Sequence, residues 1–248
     1  MQNIVLHHPR KVMKEWIGRE TGEPTRIMLC KESEYGRVRG MLYAERNGGP
    51  WSEPRATPIM HAWLKDNIST TEGYTIVFPQ CGSAVTEVAL LRLLVADGIF
   101  IRRAIFMDHV MELIDLEQFA DLTDKFADLT DKFTDKFTDK TMDIHLFWRY
   151  KDLNEFLLSE KNLVVIGVHA CMVGKNFPFE DYADFCTICG TSKTPYVNFR
   201  QLSYIEDFTT FTATSGERII HEADGGPTVV VKCCSWEDER RDVLAMRC

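Results

Sequence analysis

The sequence has no G-x-G-x-x-G fingerprint where its strand-to-helix signal is strongest. The stretch YTIVFPQCGSAVTEVALLRLL, residues 74–94, reads as a strand, a tight turn and a helix. Its turn, Pro79-Gln80-Cys81-Gly82-Ser83-Ala84, carries Gly82 and no other glycine. Without further glycines the backbone cannot easily approach a pyrophosphate, which disfavours a dinucleotide ligand. Walker-type G-x-x-x-x-G-K and the zinc-protease signature H-E-x-x-H are also absent. So is G-x-S-x-G, which removes a nucleophile elbow. A Cys81–His169 pair at strand ends is conceivable, but no third orienting group can be assigned to it.

Long apolar runs able to span a bilayer are missing, as is a signal peptide's apolar stretch in MQNIVLHHPRKVMKEW. The sequence therefore predicts a soluble, intracellular and cytoplasmic protein with no membrane partner. A removed targeting segment would leave an organellar address open. Positive charge is in deficit: 29 Lys and Arg stand against 37 Asp and Glu, for a net charge of −8. Nucleic acid is not favoured by that balance. The local basic stretch FIRRAIF reads as arginines closing a helix-to-strand loop.

Eight cysteines, at 30, 81, 171, 186, 189, 233, 234 and 248, lack the dense spacing of a secreted mini-domain. They read as reduced thiols in a core. CTICG makes Cys186 and Cys189 a C-x-x-C, half of a zinc site or a redox pair. A closed zinc site needs four ligands, and only Cys233 with Cys234, or Cys171 with His169, stand out as further donors. Packing is the preferred reading, and no metal is assigned.

Residues 1–70 read as a leading cap region. It contains a hairpin signal around Asn47-Gly48-Gly49 and a helical spacing in TPIMHAWLKDNI. Residues 71–248 read as one Rossmann-like domain. YTIVFPQ, IRRAIFMDH, DIHLFWRY and NLVVIGVHAC are apolar strands alternating with helices, one of them closed by Gly98. Such runs predict a doubly wound, mostly parallel α/β sheet. Two apolar runs flanking Asp224-Gly225-Gly226 predict an antiparallel hairpin at its end. Between the second and third strands lies a low-complexity insert, 119–141, in which FADLTDK occurs twice and FTDK follows twice. Phe119, Leu122, Phe126, Leu129, Phe133 and Phe137 fall on one helical face. The insert reads as an amphipathic helix on its own sheet, or as a helix for a protein partner.

Ligands of such sheets bind at the carboxyl ends of the strands, beside the switch in strand order. The strands would deliver there the 79–84 turn, then Asp108 and His109, then Arg149 and Tyr150, and lastly His169 and Cys171. A carboxylate at Asp108 suits a pair of ribose hydroxyls, and its distance from Gly82 is near the expected ~20 residues.

This order of elements is similar to class I S-adenosylmethionine-dependent methyltransferases: glycine-bearing turn, acidic end of the second strand, apolar fourth strand, terminal antiparallel hairpin. LVVIGVHAC also resembles the fourth strand of some RNA-methyltransferase-like domains, where an apolar run ends in His-x-Cys. The resemblance covers roughly residues 70–240. It implies S-adenosylmethionine as cofactor, with Gln80, Cys81, Gly82 and Ser83 against the methionine part. It likewise implies Asp108 and His109 beside the ribose, and His169 and Cys171 lining a methyl-transfer pocket. The chain departs from the family in lacking the usual Gly-x-Gly and the acidic residue of the first strand, where Pro79 and Gln80 stand. Methyl transfer to an unidentified acceptor is the leading expectation. A catalytically silent binding or assembly subunit of the same fold is the second, and a thiol or zinc protein using Cys186 and Cys189 the third.

Overall fold

In the computed structural model the residues described are 4–7, 56–68, 73–82, 84–108, 114, 116–119, 122, 142–168, 170, 178–191, 196–202, 217–221 and 228–245. The four apolar runs form β2 (Tyr74–Pro79), β3 (Ile101–Met107), β4 (Asp143–Phe147) and β5 (Leu163–Val168). They are joined by β1 (Ile4–His7), β6 (Tyr196–Leu202), β7 (Glu217–His221) and β8 (Thr228–Cys234). The described helices are α1 (Ala56–Asn67), α2 (Val85–Ala96), α3 (Tyr150–Leu157), α4 (Phe179–Cys189) and α5 (Trp236–Ala245), with a 3₁₀ turn at Leu116–Phe119.

All eight strands lie in one sheet, in the order β1-β4-β3-β2-β5-β6-β8-β7. The β1–β4, β4–β3, β3–β2, β2–β5 and β5–β6 pairs are parallel; β6–β8 and β8–β7 are antiparallel. This is the expected doubly wound, mostly parallel sheet with a terminal antiparallel pair. The chain winds outward from β2 through β3 to β4, then returns to lay β5 on the other side of β2. The order therefore reverses between β2 and β5, and the parallel strands all point their carboxyl ends to the same edge.

Both faces of the sheet are covered, which is why the strands are apolar without alternation. Ile76 and Phe78 enter the layer that includes Leu90, Leu91 and Leu94 of α2, while Val77 enters the layer that includes Leu153 of α3 and Phe185 of α4. That split is the period-two geometry of a strand. Helix α2 stops as expected at Gly98. This glycine takes φ 79°, and the N–H groups of Gly98 and Ile99 donate to the carbonyls of Val95 and Leu94 at 2.9 and 3.1 Å. Those two bonds are a Schellman ending, which a glycine at this position makes cheap.

At the amino ends of the strands, charges converge. Thr75 Oγ1 donates to Glu160 Oε2 at 2.7 Å, and Arg102 donates to both, at 3.0 and 3.2 Å. Arg103 pairs with the other oxygen of Glu160 and, at 3.5 Å, with Asp143. These contacts tie β2, β3 and β4 to the loop entering β5.

The expected hairpin around 47–49 lies outside the described residues. So does the insert helix, apart from Phe119 and Leu122, which are both buried. Of the leading region, β1 pairs with β4 in register from Ile4 opposite Ile144 to His7 opposite Phe147. No helix among the described residues is long and apolar enough to cross a membrane.

Candidate functional site

Strand β2 ends at the point where the strand order reverses, and its turn is strained in a patterned way. Gln80, Gly82 and Ala84 take φ of 55°, 56° and 58°. Glycine adopts that left-handed region freely, whereas other L-residues pay about 1–2 kcal/mol to occupy it. Two backbone bonds hold the turn: Ala84 N–H donates to the Cys81 carbonyl at 2.8 Å, and Cys81 N–H donates to the Met107 carbonyl at 3.2 Å. The second bond locks the turn to the end of β3.

Asp108 follows β3 immediately. Its own N–H donates to the Phe147 carbonyl at 3.1 Å, so its position is fixed by β4. Its side chain is 7% exposed, and Oδ2 accepts the Gly82 N–H at 2.9 Å. The two elements that the sequence placed at the switch point, the single-glycine turn and the acidic strand end, are thus in direct contact. A Cβ built on Gly82 would meet no atom of the described residues within 4 Å.

The other turn residues divide. The Cys81 thiol is 4% exposed and belongs to the apolar layer with Ala84, so it does not face a ligand as a nucleophile would. Gln80 is half-buried, and its amide Nε2 donates to the Tyr150 hydroxyl at 3.4 Å. Tyr150 is 1% exposed, and burial pushes its phenol pKa well up, so it stays neutral. Ser83, His109, His169 and Cys171 lie outside the described residues.

Beyond β5 the arrangement turns on a residue the sequence reading passed over. Asn198 of β6 stands opposite Gly167 of β5. Its Nδ2 donates to the Ala170 carbonyl at 3.3 Å, while its Oδ1 has no hydrogen-bond partner among the described residues. A Cβ on Gly167 would fall 2.8 Å from that Oδ1, so the asparagine occupies the room a side chain at 167 would need. Nothing in YVNFRQL marks the asparagine as different from any polar residue of a strand, because its partners come from another strand and the segment after it.

Cys186 and Cys189 sit on the inner face of α4, both fully buried in the layer with Trp236. Burial pushes both thiols up, which opposes thiolate chemistry. Cys234 is likewise pushed up, to about 12, by burial first and then by Glu239. Among the described residues no group of three or more His, Cys, Asp or Glu could hold a metal ion.

No family model matches the chain, and no curated protein matches it in sequence. Solved structures do resemble it. With the rRNA methyltransferase AviRa of Streptomyces viridochromogenes it shares 14% identity at a TM-score of 0.43, over 77% of this chain and 86% of that one. With a class I S-adenosylmethionine-dependent methyltransferase of Listeria monocytogenes it shares 14% identity at a TM-score of 0.37, over 71% of this chain and 58% of that one. With an S-adenosylmethionine-dependent methyltransferase of Clostridium acetobutylicum the identity is 8% and the TM-score 0.33, over 79% and 78%. The fold assignment rests on the strand order of this sheet rather than on these distant likenesses.

Proposed function

We propose that the chain is an S-adenosylmethionine-dependent methyltransferase of the class I type, acting on an acceptor yet to be identified. The observation that carries this reading is the Gly82–Asp108 contact at the switch point, 2.9 Å from backbone nitrogen to carboxylate oxygen. The residues fit the cofactor in two respects. Asp108 is a buried carboxylate at a strand end, the group that accepts from a vicinal diol, and no described residue would come within 4 Å of a Cβ at Gly82. When bound, the cofactor supplies an electrophilic methyl group on sulfonium. The chain's part is to hold the ribose through Asp108 and to set the methionine end against the 80–83 turn. Close approach at one glycine suits a ligand without phosphates. His169 and Cys171, which follow β5 in sequence, are the residues proposed to line the acceptor side. The leading residues 1–70 are proposed as a cap, and the cytoplasm as the site of action.

Calorimetric titration with S-adenosylmethionine and S-adenosylhomocysteine tests the reading. Losing hydrogen bonds to a charged group costs ~1.5–3 kcal/mol, so Asp108→Ala should weaken binding roughly ten- to a hundredfold at ~1.4 kcal/mol per decade. If the unaltered protein binds neither ligand at millimolar concentration, the fold serves as a silent binding subunit instead.

A further inference from the structure

Gln80 poses a problem that the cofactor reading leaves unsolved. A non-glycine residue in left-handed backbone persists only where its surroundings over-determine it. Its φ is 55°, and it stands two residues before Gly82. If Gln80 relaxed into ordinary backbone, the direction of the Gly82 N–H toward Asp108 would change with it.

One side chain meets the need. Tyr150, the first residue of α3, places its hydroxyl 3.4 Å from Gln80 Nε2. The ring cannot follow a moving turn, because it is fixed edge-on to Tyr182 at 5.0 Å and tilted against Phe185 at 5.4 Å. The hydroxyl is also within electrostatic reach of Asp108 and Cys81. A fixed, neutral oxygen therefore lies within hydrogen-bond reach of the turn's Gln80. We infer that Tyr150 is a positioning residue for the cofactor turn, holding Gln80 left-handed by a hydrogen bond where other turns use a glycine. This rests on the cofactor reading above, and gives it the device that compensates for the missing glycines. Tyr150 acts through Gln80 and is not itself a catalytic residue.

The test is a double-mutant cycle on the full chain with Tyr150→Phe, Gln80→Gly and the two combined. The probe is S-adenosylhomocysteine, titrated calorimetrically, with amide hydrogen exchange at Cys81 and Gly82 as a ligand-free readout. Tyr150→Phe keeps the ring and its packing and removes one neutral hydrogen bond. It should weaken binding roughly three- to tenfold and speed exchange by a similar factor. With glycine at 80 the left-handed backbone needs no anchor, so the same replacement should change neither quantity. A purely structural tyrosine would cost the same in both backgrounds, and that additivity, or unchanged exchange in Tyr150→Phe, would overturn the inference. If the unaltered protein binds no S-adenosylhomocysteine, the cofactor reading fails, while the exchange measurements still decide what Tyr150 does to the turn.

Discussion

At the amino ends of β2 and β3, Arg102 and Arg103 both close on Glu160, and Thr75 donates to the same carboxylate. Beyond the carboxyl end of β2, Gln80 and Ala84 are held in left-handed backbone. The first end gathers three partners on one carboxylate, and its left-handed residue is Asn162, a type that visits this backbone readily; the second holds Gln80 and Ala84 there at a cost. Costly left-handed backbone lowers stability and persists only where its surroundings over-determine it. Under the proposed function the first end serves stability and the second the cofactor, and the measurements below test that division.

The largest effect belongs to the amino end. Glu160→Ala strips the carboxylate from Arg103, whose side chain is only 21% exposed, and from Thr75. Removing one partner of a largely buried ion pair costs about 3–5 kcal/mol when the remaining charge is uncompensated; Asp143 still faces Arg103 at 3.5 Å, which puts the loss toward the lower end of that range. Urea unfolding should show a loss of about that size, with S-adenosylhomocysteine affinity changed less than twofold. A tenfold loss of affinity would mean that the two ends are coupled and the division is wrong.

A smaller loss should follow acid. His7 Nε2 and His145 Nδ1 lie 2.9 Å apart where β1 meets β4, with the His7 ring stacked on Phe147 at 4.0 Å. One ring donates and the other accepts, an arrangement for neutral imidazoles. His145 is pushed down from 6.5 to about 4 by burial, then by the charges of Arg103 and His7, with Asp143 and Glu160 opposing. His7 is lowered by burial, against the pull of Asp152. As pH falls, the unfolded chain therefore takes up protons first, and the folded state loses stability between about pH 6.5 and 4. The contribution is intact above pH 7, and about 3 kcal/mol should disappear across that window at ~1.4 kcal/mol per unit. Urea midpoints at pH 7.5, 6 and 5 should trace the slope, and His145→Asn should flatten it. The charge of Arg103 also bears on His145, but His7 is the last residue of β1, so this pair measures stability without belonging to either end.

How far each end was legible follows from the range of the interactions that build it. The apolar runs at 74–79, 101–107, 143–147 and 163–168 announced parallel strands, because burial on both faces leaves its mark in every residue. Gly98 announced the end of α2 for an equally local reason. Strand β6 went unread, since Asn198 and Arg200 interrupt its apolar residues. Helix α5 was signalled but missed: Ser235 Oγ accepts the Asp238 N–H at 3.1 Å and donates to the Asp238 carboxylate at 2.7 Å, a serine N-cap opening SWED. Helix α4 hid behind its C-x-x-C, although Tyr182, Phe185, Cys186 and Cys189 form one apolar stripe. At the site, Asp108 could be placed from its strand end. Tyr150 was placed at the right edge, but its bond to Gln80 joins residues 70 apart in sequence, beyond any local pattern.

The smallest effect sharpens the comparison by separating strain that serves the turn from strain that is merely tolerated. Ala84 precedes α2 with φ 58° and ψ 15° and is fully buried. Ala84→Gly would relieve about 1–2 kcal/mol of left-handed strain. It would also remove a buried methyl worth ~0.8 kcal/mol and loosen the unfolded chain by ~0.4–1 kcal/mol. These terms nearly cancel, so the urea midpoint should move by an amount equivalent to less than about 0.5 kcal/mol. Affinity for S-adenosylhomocysteine should also hold, because the turn's contacts at Cys81 and Gly82 are made by backbone that glycine at 84 can still support. A large gain in stability with a loss of binding would show instead that strain at Ala84, and not only at Gln80, is held for the ligand.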